Sequence, residues 1–265
     1  LEQSLRHSCD VYYYDLALKV GIERIAAMAR RLGLGDAHDI PMSAATSGLV
    51  PDKAWKRRKY KQDWVIGDSV NASIGQGFVL TSPMQLAVMA ARIATGRSIS
   101  PRLVKRIGGV ETPSRAGVDL GLNPNHLLQI HRAMYAVSNN RRGTAYKNRI
   151  IAEGKRMAGK TGTAQVSSTV VNNKTVSWEK RDHALFVNFA PWDDPKIAVA
   201  VVVEHGGGGS TTAAPIARDV TLQALFGGDP PLDAYPKKDR ARVKALQTRL
   251  SREREERKAA RNSQA

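Results

Sequence analysis

Lys160-Thr161-Gly162-Thr163 belongs to two motifs that cannot both be built. Read with the residues before it, Gly154 through Thr161 fits G-x-x-x-x-G-K-[ST], a loop that cradles phosphates. Read forward, Lys160-Thr161-Gly162 fits a K-T-G box of the serine acyl-transfer type, which belongs on a strand. A phosphate loop needs a strand before it and a helix after it, because the helix N-terminus holds the anion. Arg149-Ile150-Ile151-Ala152 is the one candidate strand, and it is short. The segment from Gly162 to Asn173 is rich in Gly, Thr, Val, Ser and Asn, all poor helix formers. Such β-branched runs broken by polar residues predict strand and turn. Lys155, Arg156 and Met157 also stand where a phosphate loop favours small residues. The sequence therefore favours a strand that carries Lys160. A nucleotide hydrolase of the phosphate-loop type is the alternative enzyme, and a non-catalytic basic scaffold the alternative without chemistry.

The rest of the composition narrows the field. A chain of 265 residues holds one large domain or two small ones, with a sizeable core. Its longest fully apolar run, Ile197 through Val203, is far too short to span a bilayer. There is no signal peptide and no initiator Met, so the chain reads as a piece of a longer protein. Cys9, the single cysteine, excludes an internal disulfide and a multi-cysteine metal site. The six histidines show no ligand spacing, so neither a metal nor a cofactor is expected. The net charge of +17 favours anionic partners: nucleic acid, anionic lipid or an acidic polymer. Eleven Lys/Arg against four Asp/Glu fall in Lys237–Ala265, which leaves +10 in the body.

Along the chain, Ser8-Cys9-Asp10 precedes Tyr12-Tyr13-Tyr14. Ser8 alone reads as a helix cap, and its aromatic neighbours predict that it is buried. Asp15 to Leu34 has helical spacing, with Gly21 as a kink or a break. Residues 38–63 read as an extended surface loop in which Trp55, Tyr60 and Trp64 interleave with a run of lysines and arginines. The stretch has no nucleic-acid fold around it, so it reads as a solvated rim clipped on by its tryptophans. Gly67 to Gly77 is turn-rich. A buried helix follows, capped by Thr81 or Ser82, with Pro83 first. Another helix spans about Asn125 to Ser138, with Leu127, Leu128, Ile130, Met134 and Val137 facing inward. The strand candidates are Lys155–Val166, His183–Ala190 and Lys196–Glu204, the last buried on both faces. Thr211–Phe226 is a closing helix. Helices first, then an antiparallel meander with a closing helix, predict an α+β fold: an antiparallel sheet flanked by helices. After Gly228 the globular pattern ends, which divides the chain into a body, 1–228, and a basic tail, 229–265, that is disordered or a solvated helix.

With Ser8-Cys9-Asp10, Gly75-Gln76-Gly77 and Lys160-Thr161-Gly162-Thr163 in this order, the sequence resembles the transpeptidase domain of class B penicillin-binding proteins, nearest the elongation-specific penicillin-binding protein 2 group. Gly48-Leu49-Val50-Pro51, Trp55-Lys56, Trp64, Gly67-Asp68, Asn71 and Pro83-Met84-Gln85-Leu86 add to the likeness, as does the segment from Glu204 to Ala217. The resemblance covers about residues 1 to 227. It implies the penicillin-binding/serine β-lactamase-like fold, N-terminally truncated, and peptidoglycan D,D-transpeptidase chemistry through a serine acyl-enzyme. In that chemistry Ser8 relays a proton to the leaving amine, and Lys160 supplies positive charge beside it. Asp10 stands where many relatives have Asn and is familiar in the elongation-specific group. Thr161, Gly162 and Thr163 bind substrate: the two hydroxyls hold a carboxylate, and the Thr163 N–H is an oxyanion donor.

The family's nucleophile is the serine of S-x-x-K, and none lies before Ser8. Ser177-Trp178-Glu179-Lys180 is the one match, in the wrong order and on an expected loop. The resemblance therefore places the nucleophile and its lysine upstream of Leu1 and makes this chain inactive alone. It also implies D-Ala-D-Ala stem peptides and β-lactams as ligands. A membrane glycosyltransferase and elongation-complex proteins are the implied partners, with no nucleic acid. The implied location is the periplasmic side of the inner membrane. A serine β-lactamase or β-lactam sensor shares these motifs.

Overall fold

The structure, a computed structural model, describes residues 1–43, 45–113, 117–167 and 169–262. Ser168 of the expected turn and residues 263–265 of the expected tail lie outside the described residues.

Helix α1 (Glu2–His7) and helix α2 (Asp10–Val20) meet at Ser8. Gly21 breaks the expected long helix, and α3 (Ile22–Arg31) continues beyond it. Next come α4 (Lys53–Tyr60), α5 (Ile66–Ser73) and α6 (Pro83–Thr95). Ser82 caps α6 by accepting from the Gln85 N–H, while the Gln85 Oε1 accepts from the Ser82 N–H. A small exposed hairpin, β1 (Arg106–Ile107) and β2 (Val110–Glu111), had no counterpart among the expected elements. Helix α7 is Pro124–Asn139. The main sheet is β3 (Ala158–Ala164), β4 (His183–Ala190) and β5 (Ile197–Val203). Helix α8 (Ala214–Phe226) closes it, and α9 (Arg240–Asn262) follows.

Both pairings are antiparallel, in the order β3-β4-β5. The pleat of β4 distributes the core. Successive side chains point to opposite faces. Ala184, Phe186 and Ala190 pack with Ala214, Ala217 and Leu222 of α8. Phe189 faces the other way, onto Ala94 of α6 and Met134 of α7. Helices thus cover both faces, and β4 is buried almost throughout. β5 lies at the sheet edge and is only half-buried, where the sequence reads it as buried on both faces. On α7, Met134 and Val137 are buried as expected, but Leu128 is exposed.

Two helices overturn the loop readings. The Asp52 Oδ1 accepts from the Trp55 N–H at 2.7 Å and starts α4 inside the expected extended loop. Trp55 packs on Tyr60 and Phe78, and the Trp64 Nε1 donates to the Ser69 Oγ at 2.8 Å. Lys56 is buried against the Asp68 carboxylate, which also accepts from the Val65 N–H at 2.9 Å and begins α5 in the turn-rich stretch. Side-chain caps at Asp52 and Asp68, with the longer-range Lys56–Asp68 and Trp55–Phe78 contacts, set these elements rather than propensity.

The core also continues past Gly228. Ala234, Tyr235 and Val243 join the main apolar cluster, and the Ala234 carbonyl accepts from the Ile151 N–H at 2.8 Å. The buried Arg218 of α8 pairs with Asp219 at 2.8 Å and with Asp239 at 2.6 Å. A few ionic and aromatic anchors dock this segment, which a search for apolar periodicity does not register.

Candidate active site

The K-T-G residues lie in the middle of β3, which overturns the phosphate-loop reading: Lys160 opens no helix. Its register on β4 sets Lys160 opposite Val187, Gly162 opposite Leu185 and Thr163 opposite Ala184. Gly209 lies over this pair of strands. A Cβ there would stand 2.3 Å from the Leu185 carbonyl oxygen and 2.4 Å from that of Gly162, so no other residue fits without displacing the strands.

Ser8 closes α1 in a left-handed conformation, φ 54°, which turns the chain into α2. This corner points its hydroxyl at the sheet, and the Lys160 Nζ donates to the Ser8 Oγ at 2.7 Å. The same ammonium donates to the Thr161 carbonyl at 2.8 Å. Burial pushes the Lys160 pKa down from 10.5 to about 8, while the Asp10 carboxylate acts in the opposite direction. The desolvation effect wins. Ser8 is exposed rather than buried as expected. Its aromatic neighbours pack elsewhere: the Tyr13 hydroxyl bonds the Ser4 Oγ at 3.2 Å, and Tyr12 stacks edge-on against Tyr13.

All six expected site residues therefore gather at one place: Ser8 and Asp10 at the α1–α2 corner, Lys160, Thr161, Gly162 and Thr163 on β3. Ser177–Lys180 does not join them; it forms a turn in the β3–β4 connection. Two further side chains, not among the expected site residues, contact β3. The Thr144 Oγ1 bonds the Thr161 Oγ1 at 3.0 Å, and the Thr144 N–H donates to the Arg6 carbonyl at 3.3 Å, so Thr144 links β3 to α1. The Gln76 Nε2 donates to the Thr163 carbonyl at 3.0 Å. Gln76 lies in Gly75-Gln76-Gly77, one of the motifs behind the resemblance, which implied no role for it. Thr144 lies in none of those motifs.

Residues 1–222 match the model of the penicillin binding protein transpeptidase domain. The chain belongs to the penicillin-binding protein transpeptidase family. It is 35% identical over 243 residues to the peptidoglycan D,D-transpeptidase MrdA of Salmonella typhimurium LT2, covering 87% of this chain and 38% of that protein. The MrdA of Haemophilus influenzae is 34% identical over 254 residues, with coverages of 89% and 38%. The chain thus spans well under half the length of these curated relatives. Among solved structures, Pseudomonas aeruginosa PBP2 in complex with WCK 5153 superposes with a TM-score of 0.73 at 38% identity, covering 84% of this chain and 48% of that one. Helicobacter pylori PBP2, solved in complex with MreC, gives 0.73 at 32% identity, with coverages of 86% and 40%. The resemblance to the penicillin-binding protein 2 group and the expected transpeptidase fold are both borne out. Among the described residues of this transpeptidase domain, no helix is long and apolar enough to cross a membrane.

Proposed function

We propose that this chain is the substrate-recognising part of a peptidoglycan D,D-transpeptidase whose nucleophilic serine and lysine lie upstream of Leu1. The observation that carries the reading is the contact of Lys160 with Ser8, which joins two motifs 152 residues apart in sequence. A serine hydroxyl is a weak nucleophile and needs a base beside it. The upstream lysine takes its proton as the serine oxygen adds to the carbonyl of a D-Ala-D-Ala stem peptide. The C–N bond then breaks as Ser8 gives its proton to the departing D-Ala amine and takes the lysine's proton in exchange. An ester remains until the amine of a neighbouring stem attacks it; the C–O bond breaks and that amine's proton passes to the serine oxygen. Lys160 holds positive charge beside the relay. Thr161 and Thr163 donate their hydroxyls to the terminal carboxylate of the substrate. The Thr163 N–H is one oxyanion donor, a contribution of about 3 kcal/mol to the barrier.

β-Lactams enter the same site as mimics of D-Ala-D-Ala. The positive body suits a wall polymer that carries carboxylates. The enzyme works on the periplasmic side of the inner membrane, with a glycosyltransferase and elongation-complex proteins as partners. The Helicobacter pylori relative solved with MreC supports that class of partner. The chain alone is inactive.

The test is labelling by a fluorescent penicillin, on this chain and on the protein extended upstream through its S-x-x-K. Label on the extended protein alone, abolished by replacing that serine, supports the reading. Label on the short chain moves the nucleophile to Ser8 or Ser177. Label that is rapidly lost points to β-lactam hydrolysis. No label on either folded protein removes the transpeptidase reading.

A further inference from the structure

Among the described residues β3 is an edge strand, with β4 on one side of it and no strand on the other. Within an antiparallel strand the N–H and C=O of one residue point to the same side, and alternate residues point to opposite sides. The Thr161 carbonyl accepts from the Lys160 Nζ and the Thr163 carbonyl from the Gln76 Nε2, so these alternate residues face the open edge. An uncovered edge of this kind is a template for an extended peptide, which adds to it through main-chain hydrogen bonds. Of the two carbonyls, that of Thr163 is held by a group from another part of the chain. Gln76 lies 87 residues away in sequence. Gly75 and Gly77 on either side have φ of 76° and 68°, and the Gln76 N–H donates to the Asn71 carbonyl at 2.9 Å. Left-handed backbone on both sides, open to glycine at little strain, lifts Gln76 out of the α5 turn and aims its carboxamide across to β3.

We infer that Gln76 is a positioning residue that stands in for a peptide N–H at the Thr163 carbonyl and is displaced when an extended peptide adds to the edge of β3. The inference rests on the transpeptidase reading for its substrate and goes further in naming a residue that tunes which ligands gain from the edge. A ligand with an amide N–H opposite Thr163 replaces the Gln76 contact, so it gains only the difference between two similar hydrogen bonds. A ligand without that N–H leaves Gln76 in place. Removing the carboxamide therefore helps the first ligand and not the second.

The experiment measures acylation rates of the full-length protein by benzylpenicillin, which has a side-chain amide N–H, and by a carbapenem, which has a hydroxyethyl group instead. Gln76→Met keeps the length of the side chain without its donor, and Gln76→Ala removes both. Each variant is expected to react about fivefold faster with benzylpenicillin, the worth of one net hydrogen bond, and at an unchanged rate with the carbapenem. In the wild type, the Gln76 side-chain N–H signals are protected from exchange and lose that protection on acylation by benzylpenicillin only. Equal changes for both compounds, no change for either, or protection that survives benzylpenicillin overturns the inference and leaves the transpeptidase reading intact. A folded wild-type protein that reacts with neither compound overturns both.

Discussion

At Lys160 two effects of opposite sign meet. Burial disfavours the ammonium, and the Asp10 carboxylate favours it; burial prevails, and the group titrates at about 8 rather than 10.5. The folded protein thus binds fewer protons than the unfolded chain between those two values, and stability rises with pH across that window. NMR of ε-labelled lysine should find the Lys160 resonance with a midpoint of about 8 rather than 10.5. Asp10→Asn, which removes the favourable charge, should lower that midpoint further. A Lys160 midpoint near 10.5 rejects the buried setting. Much at this scale was legible. K-T-G and S-x-D are short motifs whose residue types are tied to proton transfer and anion binding. Thr144 was not, because it meets β3 only after the chain has folded and lies in no motif; Gln76 was marked by Gly75-Gln76-Gly77, but its contact with the Thr163 carbonyl was not. Ser8 was misjudged for the same reason: the tyrosines after it are neighbours in sequence, and α2 carries them away from its hydroxyl.

Among the elements, legibility follows how much of the stabilising contact is local. β4 has the predicted bounds, His183–Ala190, because side chains buried on both faces leave an apolar run from Ala184 to Ala190, interrupted by Asn188. The start of α6 was readable from Pro83 with Thr81 or Ser82 before it; the structure selects Ser82, which pairs with Gln85. α4 was not, since its interior is lysine, arginine and aromatic residues; the N-cap Asp52 and the buried Lys56–Asp68 pair make it a helix. The connection after β5 shows the same dependence on distant partners. Gly209 touches the backbones of Gly162 and Leu185, so its lack of a side chain matters to the K-T-G strand and not to its own loop. Gly209→Ala pushes a methyl group into two carbonyl oxygens. Overpacking of this kind costs about 1–3 kcal/mol. The expected result is a lower urea midpoint together with slower acylation of the full-length protein. A variant with wild-type stability and wild-type rate contradicts this packing.

For the whole molecule, the open question is where the folded body ends. The family match stops at residue 222 and the sequence pattern thins after Gly228, yet Tyr235 and Val243 are each only 3% exposed. Burying two such side chains contributes about 2 kcal/mol apiece. Asp239 adds a partner for Arg218, which is fully buried and retains only Asp219 without it. Removing one partner of a buried ion is far more damaging than losing a surface pair. These terms together are a large share of a typical domain stability of about 5–15 kcal/mol. The far half of α9 is different. From residue 251 on it is exposed almost throughout, and its Arg254–Asp229 pair is a surface bridge worth at most about 1 kcal/mol. Two truncations separate the halves. A protein ending at Leu250 should unfold within a degree or two of the full chain. One ending at Gly228 should lose many degrees, or fail to fold. Equal melting temperatures for the two would make everything after Gly228 an appendage. A loss already complete at Leu250 would place the stabilising contacts in the exposed half of α9, where the structure has almost none.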